Sequence, residues 1–275
     1  MSMDLHEWVK ALLRWGHVFA SILWVGTTYY FTWLDGRFSE LESVLKTGEK
    51  EGAQPERKVW MVHSGGFYAV QKVKAPSPMP EKLHWFRWEA ALTWLTGILL
   101  FILLYYKESL LINQMESPIS LGTAIWLSVG LLIVSIPLYE LLWFKVVRNQ
   151  TAALVVSTIL ITALNWWLFR IFSERGAYLQ LGAIFGTIMA ANVWMRILPA
   201  QRRMVAALKA GEVPNQAEAV RAKTASRHNT FLVVPVVFIM LGSHFPTIQG
   251  HHYNWAILSG VVVAGWAAAT FLRRA

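Results

Sequence analysis

The chain contains no cysteine. That excludes disulfides, thiolate-held iron–sulfur clusters and the C-x-x-C-H motif that attaches haem covalently. Any haem must then be noncovalent, and any metal must be held by His, Met, carboxylate or carbonyl groups. Charge is also scarce: 15% of the 275 residues are Asp, Glu, Lys or Arg, against roughly 25% in a soluble domain. Phosphate and nucleotide motifs are missing, with no G-x-x-x-x-G-K-[ST], no G-x-G-x-x-G and no nucleophile elbow. No repeat of fixed period and no low-complexity tract occurs.

What is present is apolar. Hydrophobic residues make up 55% of the chain, gathered into runs at 11–33, 88–106, 121–145, 151–172, 177–198, 230–246 and 254–272. Most of these reach the ~20 residues a helix needs to cross ~30 Å of hydrocarbon. The expected fold is all-α, a polytopic membrane bundle of about seven spans forming one integral membrane domain over 1–275. The first run is no signal peptide, because it carries His17 and three tryptophans and ends at Leu34-Asp35 without a small-residue cleavage site.

Net charge is +9, but its distribution says more than its sum. On an alternating topology, 20 of the 25 Lys and Arg share one side with the 35–84 loop, the 199–227 loop and the C-terminus. Positive residues favour the cytoplasm, which places the N-terminus outside and the C-terminus inside. The basic balance reflects topology and contact with the lipid bilayer, and nothing else supports a nucleic acid partner.

The two large loops have some order of their own. The 35–84 segment holds Val59-Trp60-Met61-Val62-His63-Ser64-Gly65-Gly66-Phe67-Tyr68, too apolar for a plain linker and read as a strand-like or re-entrant piece. Pro199 is expected to stop the fifth helix. Gln201 to Lys209 reads as a short basic helix, broken at Gly211-Glu212-Val213-Pro214-Asn215.

Ionisable side chains at membrane depth are costly and carry a task or a partner. The topology sorts the histidines onto two levels. His17, His244, His251 and His252 fall near the outer face, and His63, His84 and His228 near the inner one. Neutral imidazole is the usual protein ligand for haem iron. An outer haem pair of His17 with His244 is chemically reasonable, as is an inner redox or substrate site using His84, His228 and His63. Single histidines at helix ends also serve simply as interfacial polar groups. Glu140 in the third span is a candidate proton carrier or a structural partner of an arginine. Asn192 and Arg196, four apart, share one helix face; they and Gln201 are candidate substrate contacts, with inter-helix hydrogen bonding as the structural reading. Gly182 and Gly186 have the spacing of close helix packing.

Five blocks carry a family resemblance. They are Arg14-Trp15-Gly16-His17 with Phe31-Thr32-Trp33-Leu34-Asp35; Val59 to Tyr68 with Gln71-Lys72; Leu83-His84-Trp85-Phe86-Arg87-Trp88-Glu89-Ala90; Gly186 to Val193 with Pro199-Ala200-Gln201-Arg202-Arg203-Met204; and Arg227-His228-Asn229 through Ser243-His244-Phe245-Pro246. Together they resemble the membrane domain of the bacterial integral-membrane, cytochrome c-linked urate oxidases, over nearly the whole chain. The resemblance implies a multi-pass protein of the bacterial inner membrane that oxidises urate to 5-hydroxyisourate without forming hydrogen peroxide. On this reading His63, His84 and Glu140 are the expected catalytic residues, His17, His84, His228 and His244 the expected contacts of noncovalent haem b with His63 a further candidate for its iron, and Asn192, Arg196 and Gln201 the expected contacts of the purine. The family's cytochrome c domain is not within these 275 residues, so a separate cytochrome c or a membrane quinone is the expected acceptor. Two other readings stay open: a quinol-linked b cytochrome without purine chemistry, and a His-lined transporter or proton channel.

Overall fold

Helix α1 (Leu5–Thr47) runs for 43 residues, about 65 Å at the helical rise and roughly twice the hydrocarbon thickness. The computed structural model describes residues 4–47, 58–73, 75–147, 149–242 and 244–273. Of the residues named or counted in the sequence, Lys50, Arg57, Lys74, Arg148, Ser243 and Arg274 lie outside that set.

After α1 comes an antiparallel hairpin, β1 (Lys58–His63) and β2 (Gly66–Gln71), which answers the strand-like expectation. Its turn passes through Ser64 and Gly65, both at positive φ, a backbone that glycine adopts without strain. Val59 and Val70 face each other in the register and pack, with Met61, on Leu34, Phe38 and Leu41 of α1.

The remaining helices are α2 (Trp88–Phe101), α3 (Leu121–Glu140), α4 (Gln150–Ile171), α5 (Glu174–Ala191), α6 (Leu198–Lys209), α7 (Gln216–Gly242), the short α8 (Pro246–Gln249) and α9 (Asn254–Leu272). Their starts are written locally. Ser120, Asn149 and Ser173 each accept a backbone N–H of the first turn of α3, α4 and α5, and Asn215 does so for Ala217 in α7. The helices α2, α3 and α5 each end in a π turn, at 102–107, 141–146 and 192–197.

Six helical runs among the described residues are long and apolar enough to cross a membrane: Trp88–Lys107, Leu121–Val146, Gln150–Ile171, Glu174–Lys209, Gln216–Gly242 and Asn254–Leu272. The seventh expected span, 11–33, does not meet that measure. Arg14, His17, Thr27, Thr28 and Thr32 dilute its apolar content, and α1 packs mainly along α2 with Trp15, Ile22 and Phe19 exposed. Two further expectations are corrected. Pro199 does not stop the fifth helix, which continues for 36 residues to Lys209. The wider i→i+5 turn at 192–197 re-phases the carbonyls just ahead of the proline, which lacks an N–H and would otherwise press on the carbonyl four residues back. The 199–227 segment is not a loop throughout. Its second half, from Gln216, is the first three turns of α7.

The core centres on α5, the most buried of the six runs, with α2, α3, α4 and α7 around it. Gly182 is the contact that lets α7 close in, since a Cβ there would lie 2.9 Å from Met240 and 3.0 Å from Ile239. Gly186 makes no such contact. Asn165 donates to Ser259 across α4 and α9, and Ser128 to Gln180 across α3 and α5, the inter-helix bonding expected of polar groups at this depth.

Candidate active site

The π turns of α3 and α5 bring the polar residues together. Glu140 is the last residue before the 141–146 turn, while Asn192 and Arg196 lie within the 192–197 turn. Arg196 donates through Nε to Glu140 Oε2 at 2.9 Å, and its Nη2 reaches the same oxygen. Arg221, from the start of α7, donates to Glu140 Oε1 at 3.0 Å. Both guanidinium groups stack on Phe144. Two guanidinium groups thus share one carboxylate, Arg196 through two N–H groups on one oxygen and Arg221 through one on the other.

The network continues inward. Arg196 Nη1 donates to Asn192 Oδ1 at 3.0 Å, and Asn192 Nδ2 donates to Tyr139 at 3.1 Å and to Asn229 Oδ1 at 2.9 Å. Asn229 in turn donates to the Met189 carbonyl. Tyr139 Oη lies 2.6 Å from His228 Nδ1, and the imidazole packs on Trp143 with ring centroids 4.4 Å apart. Four residues singled out in the sequence, Glu140, Asn192, Arg196 and His228, thus share one assembly, joined by Tyr139, Asn229 and Arg221. Tyr139 and Asn229 are sequence neighbours of Glu140 and His228, a signal that was readable. Arg221 was hidden in what read as a loop.

Two cavities flank this assembly. One, about 780 Å³, opens where α1, the approach to α2, α7 and the end of α9 converge with the π turn and α6. Its walls include the aromatic rings Trp24, Phe31, Trp85 and Phe86 and the cations Lys223, Arg227 and Arg273. His84 and Gln201 line it, as does Asn229. Glu89 stands in the same wall, and its Oε2 is buried without a hydrogen-bond partner among the described residues. Burial, and then the neighbouring charge of Arg227, pull the Arg273 guanidinium below its ordinary value, against the opposing charge of Asp35; Asp35 and Glu40 line the same cavity. The second cavity, about 570 Å³, lies between α3, α4, α5, α7 and α9; it is predominantly apolar and carries His228, Tyr139 and Gln150 at one end. Arg227 lines both.

The other histidines stand apart. His17 is packed between α1 and α2, its Nδ1 2.9 Å from the Thr93 carbonyl and 3.2 Å from Thr96 Oγ1. Gly97 makes room for it, since a Cβ there would lie 2.8 Å from the imidazole. His63 is exposed at the hairpin turn, and His244 is exposed beyond the end of α7. No hydrogen bond or ring contact among the described residues links His17 to His244. Among the described residues, no group of three or more His, Asp or Glu gathers to hold a metal ion.

Comparison with known proteins gives the family of the chain. No curated protein and no solved structure matches the chain. The profile of the urate oxidase N-terminal family matches residues 3–275, which takes in both cavities and the network between them. The chain belongs to the urate oxidase N-terminal family.

Proposed function

We propose that this chain is the membrane part of a urate-oxidising enzyme of the bacterial inner membrane, converting urate to 5-hydroxyisourate and passing the electrons to a cytochrome c or a quinone. Glu89 carries the reading: a buried carboxylate oxygen without a hydrogen-bond partner among the described residues, in a cavity that also presents the cations Lys223, Arg227 and Arg273, aromatic faces, and the carboxylates Asp35 and Glu40. Urate is a planar anion with ring N–H donors and carbonyl acceptors. Lys223, Arg227 and Arg273 match its charge, Glu89 takes an N–H, Gln201 meets either edge, and Trp85 and Phe86 offer faces for stacking. His84, in the same wall, is the proton acceptor as water adds to the purine. Water supplies the new oxygen at C5, and two electrons and two protons leave.

Glu140, Arg196 and Asn192 act as positioning residues. The ion pair holds Asn192, and Asn192 holds Asn229 in the cavity wall. His63 is assigned no step. Noncovalent haem b belongs to the same proposal: His17, whose Nδ1 is held by the Thr93 carbonyl, would hold its iron through Nε2. When bound, haem supplies one-electron transfer.

Urate consumption by the purified chain with an added electron acceptor tests the reading. Glu89→Gln is expected to lower kcat/KM at least tenfold, the scale on which one charged contact acts. A wild-type protein whose haem is reduced by quinol and never by urate overturns the reading in favour of a b cytochrome. Protein without a Soret band overturns the haem assignment.

A further inference from the structure

We propose that the apolar cavity between α3, α4, α7 and α9 is a binding site for an isoprenoid quinone, which takes the electrons from urate; this rests on the reading of the chain as a urate oxidase. The cavity has the two-part chemistry of such a ligand. Its length is lined by Val134, Leu138, Leu154 and Leu160, all of which are also exposed on the outer surface of helices that read as spans. A prenyl tail can therefore enter from the lipid. Its polar end offers hydrogen bonds and, among the described residues, no carboxylate, with His228, Tyr139, Gln150 and Ser157 in the wall.

The orientation of His228 follows from its neighbours. Asn192 donates to the Tyr139 oxygen, so the phenol hydrogen is free to go to His228 Nδ1 at 2.6 Å. Nε2–H is then the donor left for a ligand carbonyl. Trp143 fixes the ring from one side and is itself tied to Ser157 by a 3.1 Å bond from Nε1. Arg227, the one cation lining this end among the described residues, donates to Gln150 at 3.1 Å. The bonded path from Asn229, in the polar cavity, through Asn192 and Tyr139 to His228 joins the two sites. The overall step balances: urate, water and quinone give 5-hydroxyisourate and quinol. A C–O bond forms at C5 from water, and the quinone takes up the two electrons and two protons that the purine and water release.

The test labels the full chain, purified in detergent, with a photoactivated azido-ubiquinone and maps the tagged peptides. Adducts are expected within 131–143 and 154–164, displaced by excess short-chain ubiquinone. They should fall at least fivefold in Leu160→Trp, which fills the tail channel, and in His228→Gln, which alters the head contact. Adducts spread evenly over the lipid-facing helices, or displaced equally by phospholipid, overturn the site. Urate oxidation with ferricyanide, measured on the same preparation, separates the two claims. Activity with ferricyanide but no specific labelling sinks the quinone site alone. Specific labelling without urate oxidation by either acceptor sinks the urate reading and keeps the cavity a quinone site.

Discussion

Glu108 shows how a single charge ties the ends of two helices. It lies just past α2 and accepts from His6 and Lys10 of α1, at 2.7 and 3.1 Å. The bond from His6, then that from Lys10, hold its carboxyl below the usual value of 4.5. A lowered carboxylate contributes stability above its unfolded value and loses it as pH falls through the folded one. Unfolding in detergent should therefore become easier below about pH 5, and Glu108→Gln should flatten that acid limb; an unchanged slope would refute the tie. Gly97 is a second position where one atom matters. In Gly97→Ala the new Cβ would sit 2.8 Å from His17, and overpacking of this kind costs about 1–3 kcal/mol. The thermal midpoint should fall, and any haem spectrum that depends on His17 should shift with it.

At the scale of elements, the π turns decide where the site forms. A regular helix through 192–197 would break the phase that lets Pro199 continue the run and would turn Asn192 and Arg196 on different terms toward Glu140. The ion pair is shielded, with side chains 13% and 22% exposed for Arg196 and Glu140. Glu140→Ala leaves Arg196 with no carboxylate and should destabilise the fold by about 3 kcal/mol, whereas Glu140→Leu with Arg196→Met should recover most of that loss. A double variant as unstable as the single one would deny the pairing. The apolar runs, the Ser and Asn caps and the hairpin strands were legible because each depends on neighbours within a few residues. The π turns were not, since no local residue pattern marks them; the one at 192–197 lies against α7 in the folded chain. Nor was the start of α7, whose polar first turns, including Arg221, carry no apolar run and are held by contacts such as Arg203–Glu218 across from α6.

Across the whole molecule, the ends of α1, α5 with α6, α7 and α9 that frame the polar cavity are the ends rich in Lys and Arg. The charge bias predicts that this end faces the cytoplasm. A C-terminal tag should then be reached by protease only after spheroplasts are opened; cleavage in intact spheroplasts would reverse the orientation and move the urate site to the other side. The same geometry sets the two cavities on either side of one hydrogen-bonded wall, polar at the basic end and apolar toward the lipid.

By itself the sequence determined that this chain is a helical membrane bundle, because apolar run length and charge asymmetry are read off in one dimension. It also determined the family, because the family's blocks are contiguous stretches of residues. It marked Glu140, Asn192, Arg196 and His228 without showing that they meet. Only the tertiary structure joined them, through Tyr139 and Asn229, and set His17, His63 and His244 apart. The physical reason is that a contact between residues 139 and 228, or between 140 and 196, depends on how three helices cross and where two of them widen, and no local pattern encodes that crossing.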